Sequence, residues 1–122
     1  MATIQDELYC PFGVMGGFMQ PQGHVQVLVN MIDYGMDPQQ ALDAPRFCIN
    51  DGVAGGQVYF EEGISDHVIS VLKAKGHVMV EQTLRGFDRS MFGRGQIIRK
   101  LPNGILWAGS DPRADGAAYG WF

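Results

Sequence analysis

Apolar residues at Val25, Leu28, Val29, Met31 and Ile32 recur at helical spacing, and Val27 widens the stripe. The pattern predicts a helix over 24–34, buried on more than one side and stopped by Gly35. Asp37-Pro38 pairs an N-cap acid with a first-turn proline, so a short second helix is expected over 38–44, ending before Pro45. Residues 47–49 and 58–61 read as strands around a loop at 51–56. Ser65 can cap a third helix running to Lys75, with Ile64, Val68, Val71, Leu72 and Lys75 along one stripe and Gly76 as its stop. A strand over 77–82 follows. The segment QIIRKLPNGILWAG predicts a hairpin, because Asn103-Gly104 can supply positive φ between two strand-like runs. Residues 1–12 carry no regular pattern, 13–17 form a glycine-punctuated approach, and 20–23 read as a turn around Pro21. The order helix, helix, strands, helix, strand, hairpin predicts an α+β fold, an antiparallel sheet with helices packed on it.

Length and charge narrow the partners. A chain of 122 residues is expected to form one domain, 1–122, with a sizeable core. Net charge is −4 and the nine basic residues are scattered, which gives no footprint for nucleic acid or an anionic membrane. The longest apolar stretch, within 25–32, is too short to span a bilayer. Met1 to Cys10 lacks the basic and apolar regions of a signal peptide, so a cytoplasmic location is expected if Met1 is the true start. Cys10 and Cys48 have no CxxC spacing and read either as one bridge or as two buried thiols.

Candidate chemistry centres on Gly16-Gly17. The pair can be a hinge before the helix, or two unobstructed N–H groups that cradle a negative oxygen. A helix N-terminus next to them would favour the same charge. His24 can orient a substrate or serve as a cap or packing residue. His67 and His77 share no ligand spacing with the cysteines, so no metal site is expected. Glu61-Glu62 reads as a solvated edge and turn, and Asp88 with Arg89 as a surface ion pair. In Asp111-Pro112-Arg113, the proline fixes the directions of two charges. The arginine can then orient a substrate carboxylate, or the motif can be a turn locked by its own Asp–Arg contact. No GxSxG, GxGxxG or Walker pattern is present.

Taken in order, GVMGGFMQPQGH, YGMDPQQALDAPRF, VYFEEGI, LKAKGH, FGRGQII and SDPRADGAA resemble the C-terminal part of the small subunit of gamma-glutamyltransferases. The resemblance spans about Phe12 to Gly120, and its MQPQGH and FGRGQII versions look closer to bacterial gamma-glutamyltransferase-like or oxamate-amidohydrolase-like members. It implies part of the αββα sandwich of N-terminal-nucleophile (Ntn) hydrolases, which process themselves. In that family a precursor cuts itself, and the new N-terminal threonine attacks a γ-glutamyl or related amide with its own amine as base. The resemblance assigns Gly16 and Gly17 to the oxyanion hole, and it implies no cofactor.

The family's threonine lies upstream of the glycine pair, and removing Met1 here would expose Ala2 rather than Thr3. Thr83 is internal. The family's paired serines and large-subunit arginine, which hold a substrate carboxylate, have no matching positions. The expectation is therefore a C-terminal fragment that lacks the nucleophile and is inactive alone. Its partners would be the remainder of the parent enzyme, or further copies of itself covering the exposed apolar face. A stand-alone binding or assembly domain derived from the same family is the alternative.

Overall fold

A computed structural model describes residues 1–121, the side chain of Asp51 excepted. The chain opens with two short antiparallel strands, β1 (Ala2–Ile4) and β2 (Glu7–Cys10). This corrects the expectation of irregular structure over 1–12. Gln5 and Asp6 both adopt positive φ, 51° and 65°, which is the geometry of a tight hairpin turn, without the glycine that usually announces one.

The central sheet has the order β3-β6-β7 and is antiparallel throughout, with β3 at Phe12–Met15, β6 at Arg94–Lys100 and β7 at Leu106–Ser110. Its β6–β7 hairpin is the one expected. Gly104 takes φ 84°, its N–H donates to the Leu101 carbonyl at 2.9 Å, and Leu101 N–H bonds the Ile105 carbonyl at 2.8 Å. Asn103 stays at negative φ, so the loop holds three residues with glycine last rather than a two-residue turn.

Two helices cover one face of this sheet. The first, α1 (Met19–Ile32), begins earlier than the apolar pattern suggests. Pro21 lies in its first turn, where a missing N–H breaks no helical bond. Gly23 is within the helix rather than in a turn: a Cβ there would meet Val14 Cγ1 at 2.7 Å, so glycine lets α1 lie against β3. One stripe is buried, Met19, Gly23, Val27 and Met31, while Val25 is 62% exposed and Ile32 57%. Burial on several sides is therefore replaced by a single packed face. The second helix, α2 (Pro38–Asp43), starts in a full capping box. The Asp37 carboxylate accepts the Gln40 N–H at 2.8 Å, and the Gln40 side chain accepts the Asp37 N–H at 3.1 Å.

Glutamine side chains stand in for missing strand neighbours. Gln22 exchanges two hydrogen bonds with the backbone of Ile49, and Gln26 two with Phe47. These fasten α1 to β4 (Phe47–Ile49), which pairs with β5 (Val58–Phe60). Gln39 does the same for Ser110 at the end of β7. Each amide presents one donor and one acceptor, as a peptide group does.

The third helix, α3 (Asp66–Ala74), starts as expected, with Ser65 accepting the Val68 N–H at 3.3 Å. It buries no residue fully, and Val68 and Val71 on the expected apolar stripe are exposed, whereas Ile69 packs inward. In place of a strand over 77–82, two isolated parallel bridges, Val58 with Met79 and Glu61 with Leu84, run beside β5. Cys10 and Cys48 are free, buried and in separate apolar clusters, and burial pushes both thiols up. No helix among the described residues is long and apolar enough to cross a membrane.

Candidate active site

Gly16 and Gly17 form the corner between β3 and α1. Their φ values are 153° and 60°, which non-glycine residues rarely adopt. Their carbonyls are engaged, accepting the N–H groups of Met19 and Gln20 at 3.1 Å each. Among the described residues their own N–H groups have no partner. Phe18, at the N-cap of α1, makes no side-chain cap bond, so the positive end of a 14-residue helix is left open beside them. The corner is narrow: a Cβ on Gly16 would sit 3.0 Å from Gly93 Cα. Two free donors and an uncapped helix start can stabilise a developing negative oxygen.

His24 does not share this task. Its Nε2 accepts the Val14 N–H at 3.0 Å, which places the remaining ring proton on Nδ1, and its ring meets Phe12 edge-on at 5.3 Å. The packing reading of His24 holds. His67 and His77 are exposed, and no group of histidine, cysteine or acidic side chains among the described residues could hold a metal ion. Thr3 is exposed on β1.

The other polar centre is buried and closed. Glu61 is 0% exposed, which overturns its reading as a solvated edge; only Glu62 fits that description. Glu61 pairs with Arg113 through both carboxylate oxygens and accepts from Arg89 Nε at 2.9 Å and the Arg46 N–H at 2.8 Å. Arg89 therefore turns inward to Glu61 instead of forming the surface pair expected with Asp88. Asp111 bonds Arg46 at 2.8 Å, Arg113 Nη1 at 3.0 Å and the Gly95 N–H at 2.7 Å. Arg113 also donates to the carbonyls of Leu42 and Ala44, so its guanidinium is spent on the fold, and the locked-turn reading of Asp111-Pro112-Arg113 is the one observed.

Burial alone would raise the Glu61 and Asp111 carboxyls, yet both lie below their ordinary values. The Arg113 hydrogen bond and charge dominate at Glu61, and the Arg46 charge at Asp111. Arg113 is held above its ordinary value: burial works against it, and Glu61 more than compensates. Arg46, a residue the apolar pattern does not flag, is pushed down by burial and by the Arg113 charge. Its partners are distant in sequence, so only the fold assembles the cluster.

The family model described as gamma-glutamyltranspeptidase matches residues 1–121. The chain belongs to the gamma-glutamyltranspeptidase family. Within it, the chain is 37% identical over 113 residues to the glutathione hydrolase-like YwrD proenzyme of Bacillus subtilis, covering 89% of this chain and 21% of that protein. It is 30% identical over 122 residues to the oxamate amidohydrolase proenzyme of Klebsiella pneumoniae, covering 98% of this chain and 22% of that protein. The cephalosporin acylase of Bacillus halodurans superposes with a TM-score of 0.85 at 44% identity, over 98% of this chain and 21% of that one. The chain thus spans about a fifth of the length of the curated relatives it matches. Its helices on an antiparallel sheet are part of the Ntn-hydrolase architecture of this gamma-glutamyltranspeptidase group.

Proposed function

We propose that residues 1–122 are the C-terminal portion of the small subunit of a gamma-glutamyltransferase-like amidohydrolase or acyltransferase. Gly16 and Gly17 supply its oxyanion hole, and the nucleophilic threonine comes from the remainder of the parent enzyme. The observation that carries this reading is the pair of unpartnered glycine N–H groups beside an uncapped helix start. Gly16 is half-buried and Gly17 exposed, so both N–H groups are open to a ligand oxygen arriving from solvent beside the helix start. The threonine hydroxyl attacks the amide carbonyl and its α-amine takes the proton. The carbonyl oxygen becomes an oxyanion held by the two N–H groups, the amine leaves, and water or an acceptor amine releases the acyl group. The substrate is a γ-glutamyl or related small amide, and no cofactor enters these steps.

The remainder of the parent enzyme covers the sheet face that α1 and α2 leave open, where Ile98 and Leu106 are exposed. The isolated chain is expected to self-associate for the same reason, and a monomeric mass in sedimentation at micromolar concentration would count against it. The functional test is hydrolysis by the parent enzyme of γ-glutamyl-p-nitroanilide and of oxamate. Turnover of either supports the reading. A folded parent that cleaves neither, or that turns over unchanged with Gly17→Pro, refutes it.

A further inference from the structure

The tip of the β6–β7 hairpin carries a reactive pair that the oxyanion reading does not use. The chain has three asparagines, Asn30, Asn50 and Asn103, and of these Asn103 is followed by glycine. An asparagine side-chain carbon is one five-membered ring away from the next backbone nitrogen, and the side chain of the following residue is the chief obstacle to closing that ring. Asn30 lies inside α1 and precedes buried Met31, and Asn50 precedes Asp51. At Gly104 the obstacle is absent, and even a Cβ placed there would meet nothing within 4 Å.

The loop itself favours the same reaction. The Asn103 side-chain oxygen accepts the Ile105 N–H at 3.2 Å, a turn that folds the side-chain carbon back toward the intervening Gly104 nitrogen and polarises its carbonyl. Residues 102–106 are exposed, so water reaches the site. One contact opposes ring closure: the Gly104 N–H donates to the Leu101 carbonyl at 2.9 Å and has to open before the nitrogen can attack. A hairpin tip opens locally at low cost, because only the bonds of the turn are broken.

We propose that Asn103 is a site of spontaneous covalent modification, at which the chain rearranges without an enzyme. The Gly104 nitrogen gives up its proton and attacks Asn103 Cγ. The bond from Cγ to the side-chain nitrogen breaks, and that nitrogen takes a proton and leaves as ammonia. The cyclic imide then takes up one water and opens at either carbonyl, to aspartate or to isoaspartate. Isoaspartate routes the main chain through the side-chain carbon and lengthens the loop by one backbone atom, so the bonds among Leu101, Gly104 and Ile105 that close the hairpin no longer fit. The site is at the far end of β6 from Gly93 and the glycine corner, and it stands independently of the amidohydrolase reading.

The experiment ages the full-length protein for several weeks at body temperature in mildly alkaline buffer, then digests it with trypsin and reads the masses. Cleavage after Lys100 and Arg113 isolates residues 101–113, which contain no other asparagine. The expected result is conversion of this peptide to its acid form as two species, aspartate and the more abundant isoaspartate, told apart by electron-transfer fragmentation. The peptides with Asn30 and Asn50 should keep their amides. Gly104→Ala should slow the conversion at least about tenfold, and Asn103→Gln should abolish it. Repeating the Gly104→Ala comparison in urea removes any effect of the loop's own stability. In the isoaspartate form, amide exchange at Leu101 should quicken at least about tenfold. An unchanged 101–113 peptide overturns the proposal. Aspartate without isoaspartate overturns it as well, because direct hydrolysis by water needs no ring. So does an undiminished rate in Gly104→Ala.

Discussion

Two polar regions adjoin the first residues of β6 and use their polar groups in opposite ways. Around Glu61, Asp111, Arg46 and Arg113, every carboxylate oxygen is bonded and solvent is excluded. At the Gly16–Gly17 corner, two backbone N–H groups are left without partners among the described residues. The first region uses its polar groups to hold β5, β6 and the 111–113 turn together. The second leaves its donors free at the edge of solvent, where a ligand oxygen can replace water on them. Bonded carboxylates mark structure here, and open backbone donors mark the place where chemistry is expected.

The comparison breaks most sharply at Glu61. Glu61→Gln leaves Arg46, Arg89 and Arg113 with the Asp111 carboxylate as the one remaining negative charge in the buried cluster, and about 3–5 kcal/mol of stability should be lost in urea unfolding. Arg94, half-buried at the start of β6, makes no side-chain bond among the described residues, so Arg94→Gln should stay within about 1 kcal/mol by the same measurement. A similar cost for both would erase the distinction.

At the glycine corner the effect should be on rate. Gly17→Pro removes a donor and cannot adopt φ 60°, so kcat of the parent enzyme should fall by about 10²–10³. Gly17→Ala keeps the N–H and meets no atom within 4 Å, leaving only a backbone strain of about 1–2 kcal/mol. Its kcat should therefore drop by less than about tenfold. Equal losses would locate the effect in the turn, not in the donor.

Acid should act on the charged cluster before it acts on the glycine corner. Glu61 and Asp111 bind protons less readily in the folded chain than in the unfolded one. Their contribution is complete above their ordinary values of 4.5 and 3.8, and it is lost as pH falls through the lower folded values. Thermal melting followed from pH 7 down to 3 should fall steeply only below about pH 4.5. An unchanged melting temperature at pH 3 would contradict these pairings. The smallest expected effect is local: Asp37→Ala deletes the capping box of α2 and should cost about 1 kcal/mol, read by the same melts.

Much of the fold was legible because its signals are local. The Asp37 and Ser65 caps, the β6–β7 hairpin and the stop before Pro45 depend on neighbours within a few residues, and each is where the pattern puts it. The errors fall where a distant contact overrides a local signal. Gly23 looks like a turn residue until β3 lies against it, and Pro21 looks like a breaker until the helix starts two residues before it. The strand expected over 77–82 is reduced to the single bridge of Met79 with Val58, and a second bridge, Leu84 with Glu61, lies beyond it. Gln22 and Gln26 look like ordinary polar positions until β4 arrives to use them.

The same division runs through the site. The sequence by itself determined that Gly16 and Gly17 could expose their N–H groups, since absence of a side chain is a property of the residue. It also determined the family, through an ordered run of motifs over nearly the whole chain. Only the tertiary structure decided which charges are spent. Glu61 and Arg113 are 52 residues apart and Arg46 lies 15 from Glu61, so their pairing depends on strand and helix placement that no local pattern encodes. For the same reason the sequence could not separate Arg94 from the other five arginines. Whether a charge is satisfied is a property of its surroundings, and those exist only once the chain has folded.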